Sequence, residues 1–436
     1  MLMAIITYSC EPYDDSFLMD VRTHGSNPGN RVPVANGRRV VLMYLAGFNS
    51  LSDCLRDDLN DVINSWLPQS GQKDNVLLVY THQPKRDGLY STQTTPYLLR
   101  LSADAEGNAR IDTLKTYPKT SISASANQLN KVLTYVKDNF PATGYGMTFS
   151  SHATGYLPAG FYSKPDSYVF QENRLGTMST EPGLPYAVPY YEPEHDPSLP
   201  RVRSIGQDQQ GSFGSYVSYE MDLKDFADAI PMKLDFIMFD ACLMGGIEVA
   251  YELQGKCGKV GFSQAEVLAE GLDYTGSTAH LLGGKTADLE SICHDYFTYY
   301  DMQTDDLFRS ATISLVDCDR LEPLAQVCKE IFANHRDGLA SLKSNNVQRF
   351  FRSGKVWFYD LESIAINAGA TDQELAVLQE ALDNCVIYKA HTPEFMCEFS
   401  IDTFSGFSMY LPKNGTPELN KYYRTLKWNE ATGLVE

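Results

Sequence analysis

LDFIMFDAC, residues 234–242, is a run of large apolar side chains that ends in an acid, an alanine and a cysteine. A continuous apolar stretch of this length reads as a strand buried on both faces, the kind that parallel sheets use. YGMTFSSH (145–152) has the same build and ends in His152. RRVVLMYLAGF (38–48) and NVLLVYTHQ (75–83) are two more apolar runs, and KVGFSQ (259–264) and SATISLVDC (310–318) add further strands. PYLLRLSADAEGNARIDTLKTY (96–117) reads as a hairpin with its turn at Glu106 to Asn108.

Helical patterns lie between these runs. In LSDCLRDDLNDVINSWL (51–67), Leu51, Leu55, Leu59, Val62, Ile63 and Trp66 recur at helical spacing. SISASANQLNKVLTYVKDNF (121–140) carries an apolar stripe behind a Ser-rich start, which predicts a cap at Ser121 or Ser123. YEMDLKDFADAI (219–230) reads as a helix leading directly into the 234–242 strand. Strands alternating with helices predict an α/β fold: a mostly parallel central sheet with helices on both faces.

After Cys318 the pattern changes. LEPLAQVCKEIFANHRDGLASL (321–342) and DQELAVLQEALDNCVIYKAH (372–391) read as helices, and FSGFSMYLPKNG (404–415) as a returning strand that runs into a turn. The expected division is an N-terminal segment over 1–38, an α/β domain over 39–320 and a C-terminal helical subdomain over 321–436. Within the second unit, the stretch from about 163 to 204 is crowded with Pro, Tyr and Glu and shows no periodicity, the mark of a mobile linker.

Composition narrows the partners. The chain has 436 residues, 43% of them apolar, enough to bury a large core. Lys and Arg number 36 against 55 Asp and Glu, a formal charge of −19. That field disfavours polyanions, so no nucleic acid partner is expected, and it favours cationic ligands such as basic peptide segments. Nine cysteines, with no C-x-x-C pair and no zinc-type Cys/His cluster, read mostly as small buried apolar residues. No later segment has the run of about 18 apolar residues that a membrane span needs. At the N-terminus, MLMAIITYSCEP (1–12) resembles the tail of a bacterial lipoprotein signal, with Cys10 as the lipidated residue. The expectation is export, to the cell envelope on a lipid anchor or as a secreted protein; a frayed terminus is the plainer alternative.

Ligands of an open parallel sheet bind outside the carboxyl ends of its strands, where His152 and Cys242 both fall. A thiol has an ordinary pKa near ~8.5 and needs a base or a cation beside it to act as a nucleophile. A histidine within hydrogen-bond reach supplies the base and can return the proton to a leaving amine. On these two strand ends alone, a core cysteine and a loop histidine fit equally well.

The longer strings separate the two readings. DACLMGGIEVAYEL (240–253) closely resembles the nucleophile segment of the clostripain family of cysteine peptidases, and SHATGYLPAG (151–160) resembles its histidine segment. VLMYLAGFNSL (41–51), SIGQD (204–208), SQAEVLAEGLDYTG (263–276), FYDLESIA (358–365) and GFSMYLP (406–412) also match in order. The resemblance implies a caspase-like fold with its catalytic domain in 39–320, His152 as general base and Cys242 as nucleophile. It implies an oxyanion hole from the backbone N–H groups of Cys242 and Ala153. The family usually has glycine at position 153, and a Cβ there restricts the backbone if φ must be positive.

The same resemblance implies cleavage after Arg or Lys, with Asp240 and Glu270 as the acids that receive the basic side chain. Structural alternatives remain for both: a strand-end carboxylate accepting loop N–H groups, and a solvated surface acid. Self-cleavage in the linker is expected at Arg174, Arg201 or Arg203. The chemistry requires no cofactor. Calcium is left open by the resemblance, although the sequence has no EF-hand loop and the pairs Asp57/Asp58 and Asp305/Asp306 read as solvated faces. A monomer acting on protein or peptide substrates is expected. Two rivals stay open: a degenerate, non-catalytic peptide-binding member of the fold, and a peptidase with specificity other than basic residues.

Overall fold

A computed structural model describes residues 37–71, 74–87, 90–92, 94–162, 165–170, 186–189, 208–210, 217–352 and 356–436. Cys10, Arg174, Arg201 and Arg203 lie outside the described residues.

Nine strands make the central sheet: β1 (Arg39–Ala46), β2 (Val76–His82), β3 (Tyr97–Ala103), β4 (Ala109–Thr116), β5 (Gly144–Ser150), β6 (Leu234–Asp240), β7 (Cys257–Phe262), β8 (Thr312–Asp317) and β9 (Val386–His391). Their spatial order is β9-β8-β7-β6-β5-β1-β2-β3-β4. The five inner strands, β7-β6-β5-β1-β2, run parallel. Both flanks are antiparallel, through β3 and β4 on one side and β8 and β9 on the other. The sequence pattern has the same division. Every residue of β2 and all but the first of β1 are buried, as expected for strands covered on both faces. The edge strands β4 and β9 carry half-exposed, mixed sequences.

The helices follow as α1 (Ser52–Asn64), α2 (Ala126–Asn139), α3 (Leu223–Asp228), α4 (Ile247–Glu252), α5 (Tyr274–Leu282), α6 (Leu289–Asp301), α7 (Leu321–Asn334), α8 (Arg336–Ser341), α9 (Leu361–Ala368), α10 (Asp372–Cys385), α11 (Pro417–Tyr423) and α12 (Lys427–Thr432). Side-chain alternation along the strands assigns them to faces. Phe149 of β5 and Phe239 of β6 meet Phe226 of α3 on one face. Their strand neighbours Ser150 and Asp240 meet Tyr274 of α5 on the other.

Several expectations shift. The 51–67 helix stops at Asn64, so Trp66 falls past the buried stripe and is 47% exposed. The cap of α2 is Ser125, whose hydroxyl accepts from the Gln128 N–H. Ser123 serves the core instead, meeting the Tyr80 hydroxyl and His82 Nδ1. The 219–230 stretch begins as a strand, Val217–Glu220, before α3. That strand pairs with Tyr186–Pro189, so part of the 163–204 stretch is ordered. The 372–391 helix ends at Cys385, because the β-branched Val386 and Ile387 start β9 instead. The C-terminal segment therefore completes the central sheet as well as adding helices. Asp58 is buried, unlike its neighbour Asp57 and the exposed Asp305 and Asp306. Eight described cysteines are free thiols, six of them buried. No described helix is long and apolar enough to cross a membrane.

Candidate active site

Strand order changes direction between β1 and β5: the chain builds β2 on one side of β1 and later β5, β6 and β7 on the other. A crevice opens at such a switch point, beyond the carboxyl ends of the strands. Ser50, four residues past β1, meets His152, two residues past β5, with Ser50 Oγ 2.9 Å from His152 Nε2. Strand β6 lies next, with Asp240 in register with Ser150. Cys242 and His152 thus each stand two residues beyond a matched pair on adjacent parallel strands, which lie about 4.8 Å apart. Both are buried, Cys242 completely and His152 at 4% exposure.

The histidine loop is tied down at several points. Ser151 Oγ donates to the Ala46 carbonyl at 3.1 Å. Further on, the Ala159 N–H donates to Asp222 Oδ1 at 2.7 Å and the Gly160 N–H to Glu220 Oε2 at 2.8 Å. Gly155 has φ +57° and faces the Leu243 carbonyl oxygen so closely that a Cβ would overlap it. Only glycine lets the His and Cys loops meet there.

The cysteine loop turns sharply. Leu243, directly after the cysteine, has φ 62°, a left-handed conformation that costs a leucine roughly 1–2 kcal/mol. Leu243 N–H donates to Ala265 O at 2.9 Å and Gly245 N–H to Ser263 O at 2.7 Å, which hold the turn against the loop that leaves β7. The Val267 N–H donates to Cys242 Sγ at 3.1 Å. Strain of this kind, overruled by surrounding hydrogen bonds, is typical of functional loops.

Asp240 is fully buried. Its Oδ2 accepts from the Tyr274 hydroxyl at 2.9 Å and from Ser150 Oγ at 3.4 Å, and those two hydroxyls are 2.8 Å apart. Glu270, by contrast, is exposed, four residues before Tyr274, and its charge acts on the Tyr299 phenol. Ala153 is not among the described non-glycine residues with positive φ, which are Leu243, Met396 and Cys397. Its backbone is one that alanine adopts as readily as glycine.

His82 is a useful contrast. It also ends an apolar strand, but burial drives its pKa down to about 3, and its Nδ1 meets Ser123 Oγ at 2.7 Å. It is a neutral core histidine, two strands away from β5. Sequence reasoning missed Ser50, Ser150, Val267 and Tyr274, though all four lie in segments that carried the resemblance or in the strand before His152. Among the described residues, no group of three or more His, Cys, Asp and Glu side chains could hold a metal ion.

The family model of the clostripain family matches residues 191–433, more than half of the chain. No curated protein matches it. Among solved structures, an inactive zymogen C11 protease from Parabacteroides distasonis is similar over 92% of this chain and 99% of its own, at 26% identity and a TM-score of 0.69. A secreted C11 cysteine protease from Bacteroides thetaiotaomicron is similar over 92% of this chain and 100% of its own, at 23% identity and a TM-score of 0.67. A secreted C11 cysteine protease from Bacteroides thetaiotaomicron in complex with an irreversible peptide inhibitor gives 23% identity, 91% and 99% coverage and a TM-score of 0.67. Strand order, loop geometry and family match agree: this chain belongs to the clostripain family of cysteine proteases.

Proposed function

We propose that the chain is an endopeptidase that cuts after Arg or Lys, with Cys242 as nucleophile and His152 as general base. The observation that carries this is the register of β5 and β6, in which His152 and Cys242 follow matched positions on neighbouring strands. Ser50 engages Nε2 of the imidazole, and in this reading Nδ1 exchanges the proton with the thiol. The thiolate attacks the scissile carbonyl carbon, and the oxyanion is received by the backbone N–H groups of Cys242 and Ala153. Collapse of the tetrahedral species breaks the C–N bond, and His152 gives its proton to the leaving amine. Water, deprotonated by His152, then hydrolyses the thioester and restores the thiol.

Asp240 is the pocket acid in this reading. Two hydroxyls anchor one of its oxygens, and a guanidinium or ammonium from the substrate would pair with the carboxylate in a desolvated setting. Glu270 adds negative potential nearer the surface. Burial of both reacting side chains supports a precursor form, as does the likeness to a zymogen protease. Cleavage after Arg174, Arg201 or Arg203 would open the site. Export rests on the Cys10 reading.

The test is a fluorogenic peptide panel that varies the residue before the cleaved bond, run on the wild type, Cys242→Ala and His152→Ala. Cleavage confined to Arg and Lys, lost by at least about 10³-fold in both variants, is the expected result. Retained turnover in Cys242→Ala would sink the assignment.

A further inference from the structure

Eighty-six residues beyond Glu266, the chain returns to the nucleophile. Phe350 and Phe351 are buried, with the Phe350 N–H donating to Phe358 O at 3.0 Å and the Phe351 ring packed on Trp357, Phe358 and Tyr162. This anchoring aims Arg352 inward. Its Nε donates to Glu266 Oε2 at 2.8 Å, with the two side chains 22% and 5% exposed. Glu266 immediately precedes Val267, whose N–H donates to Cys242 Sγ and whose carbonyl lies 3.7 Å from it.

We propose that the Arg352–Glu266 ion pair positions the nucleophile, pinning the segment whose Val267 amide holds the Cys242 sulfur and turning a cation toward the thiolate. The inference rests on Cys242 being the nucleophile. A pair this buried is costly to assemble unless each charge is held, and removing one partner strands the other. Burial pushes the Glu266 carboxyl up against the lowering by Arg352, while Glu398 raises it further. The Arg352 cation is faced by Glu266, by Tyr162 and by Cys242 itself, all of which favour its charged form over its desolvation. By reciprocity the same contact favours the charged form of Cys242. Arg352 has no role in donating or accepting the reaction's proton. It acts through Val267 and through its field.

The decisive measurement is the rate of iodoacetamide alkylation at Cys242 against pH, read by peptide mass on the purified protein after whatever self-cleavage it undergoes. Arg352→Met should move the thiolate inflection upward by about one unit, slowing alkylation well below the inflection about tenfold. It should lower kcat while KM stays within about twofold. Arg352→Lys keeps the charge and should recover most of the inflection. Should Arg352→Met fail to fold, Glu266→Gln/Arg352→Met removes the stranded carboxylate and should show the same shift. An unchanged inflection in a folded variant, or equal shifts in the Met and Lys variants, overturns the inference. Wild-type protein that cleaves peptide substrates yet is not alkylated at Cys242, or a fully active Cys242→Ala, overturns the nucleophile assignment instead.

Discussion

Two fully buried carboxylates flank Cys242, two residues before it and six after it, and they serve opposite ends. Asp240 closes strand β6 at its carboxyl end, where the sheet stops and the crevice begins. Its known partners are hydroxyls, Ser150 and Tyr274, clustered on one oxygen. Glu248 lies in α4 among aromatic side chains. Its Oε1 accepts from the Tyr410 N–H at 2.8 Å and the Tyr423 hydroxyl at 2.6 Å, and the Tyr156 ring packs edge-on against both tyrosines. Burial lifts the Glu248 pKa to about 7. The same carboxyl group is thus a candidate charge receptor at the mouth of the sheet and a clamp for the C-terminal helices behind it. Position relative to the strand ends, rather than burial, separates the two.

That contrast can be broken most forcefully at Asp240. Asp240→Asn should keep the shape and remove the charge, lowering kcat/KM for Arg substrates by roughly 10²–10³-fold while neutral residues change little. A variant that keeps its Arg preference would move the receptor elsewhere, with Glu270 the next position to test.

Gly155 stands between the two clusters, touching the Leu243 carbonyl while its neighbour Tyr156 packs into the Glu248 group. Gly155→Ala should spread the loops and strain a positive φ, costing about 2 kcal/mol of stability and lowering kcat about tenfold. Thermal unfolding and single-turnover cleavage read the two effects separately. Unchanged kcat would mean that loop contact does not align the dyad.

Glu248→Gln should have the smallest effect on cleavage, within about twofold. Its signature lies in stability against pH. The folded protein holds the carboxyl at about 7 against an ordinary 4.5, so it binds the proton more tightly than the unfolded chain. The stability this contributes is present in full below about 4.5 and is lost as pH rises toward 7, on the order of 3 kcal/mol. Glutamine cannot titrate, so the variant should show a flatter profile in urea unfolding between these pH values. Asp360, also lifted to about 7 by burial, keeps its own share of the slope in both proteins. A variant with the wild-type slope would show that Glu248 is not held protonated.

Legibility in the sequence followed the same geometry. The inner strands were readable because they are largely buried on both faces and therefore mostly apolar, and the ends of two of them marked His152 and Cys242. Helix ends were less readable: Ser121, Ser123 and Ser125 are equally good caps by type, and Ser125 caps only because Ser123 is drawn into the core by Tyr80 and His82. The division at 320 missed β9, whose Val386–His391 pairing with β8 spans a separation that no local pattern encodes.

By itself, then, the sequence determined the parallel core, the candidate dyad and the family likeness, since these depend on contiguous runs of side chains. Tertiary structure decided what runs cannot express. It joined Ser50 to His152 and Arg352 to Glu266, buried Asp240 while leaving Glu270 at the surface, and gave Ala153 an ordinary backbone while Leu243 took the left-handed turn. Each of those outcomes is set by contacts between segments tens to hundreds of residues apart, and burial, charge pairing and backbone strain all follow from which segments meet.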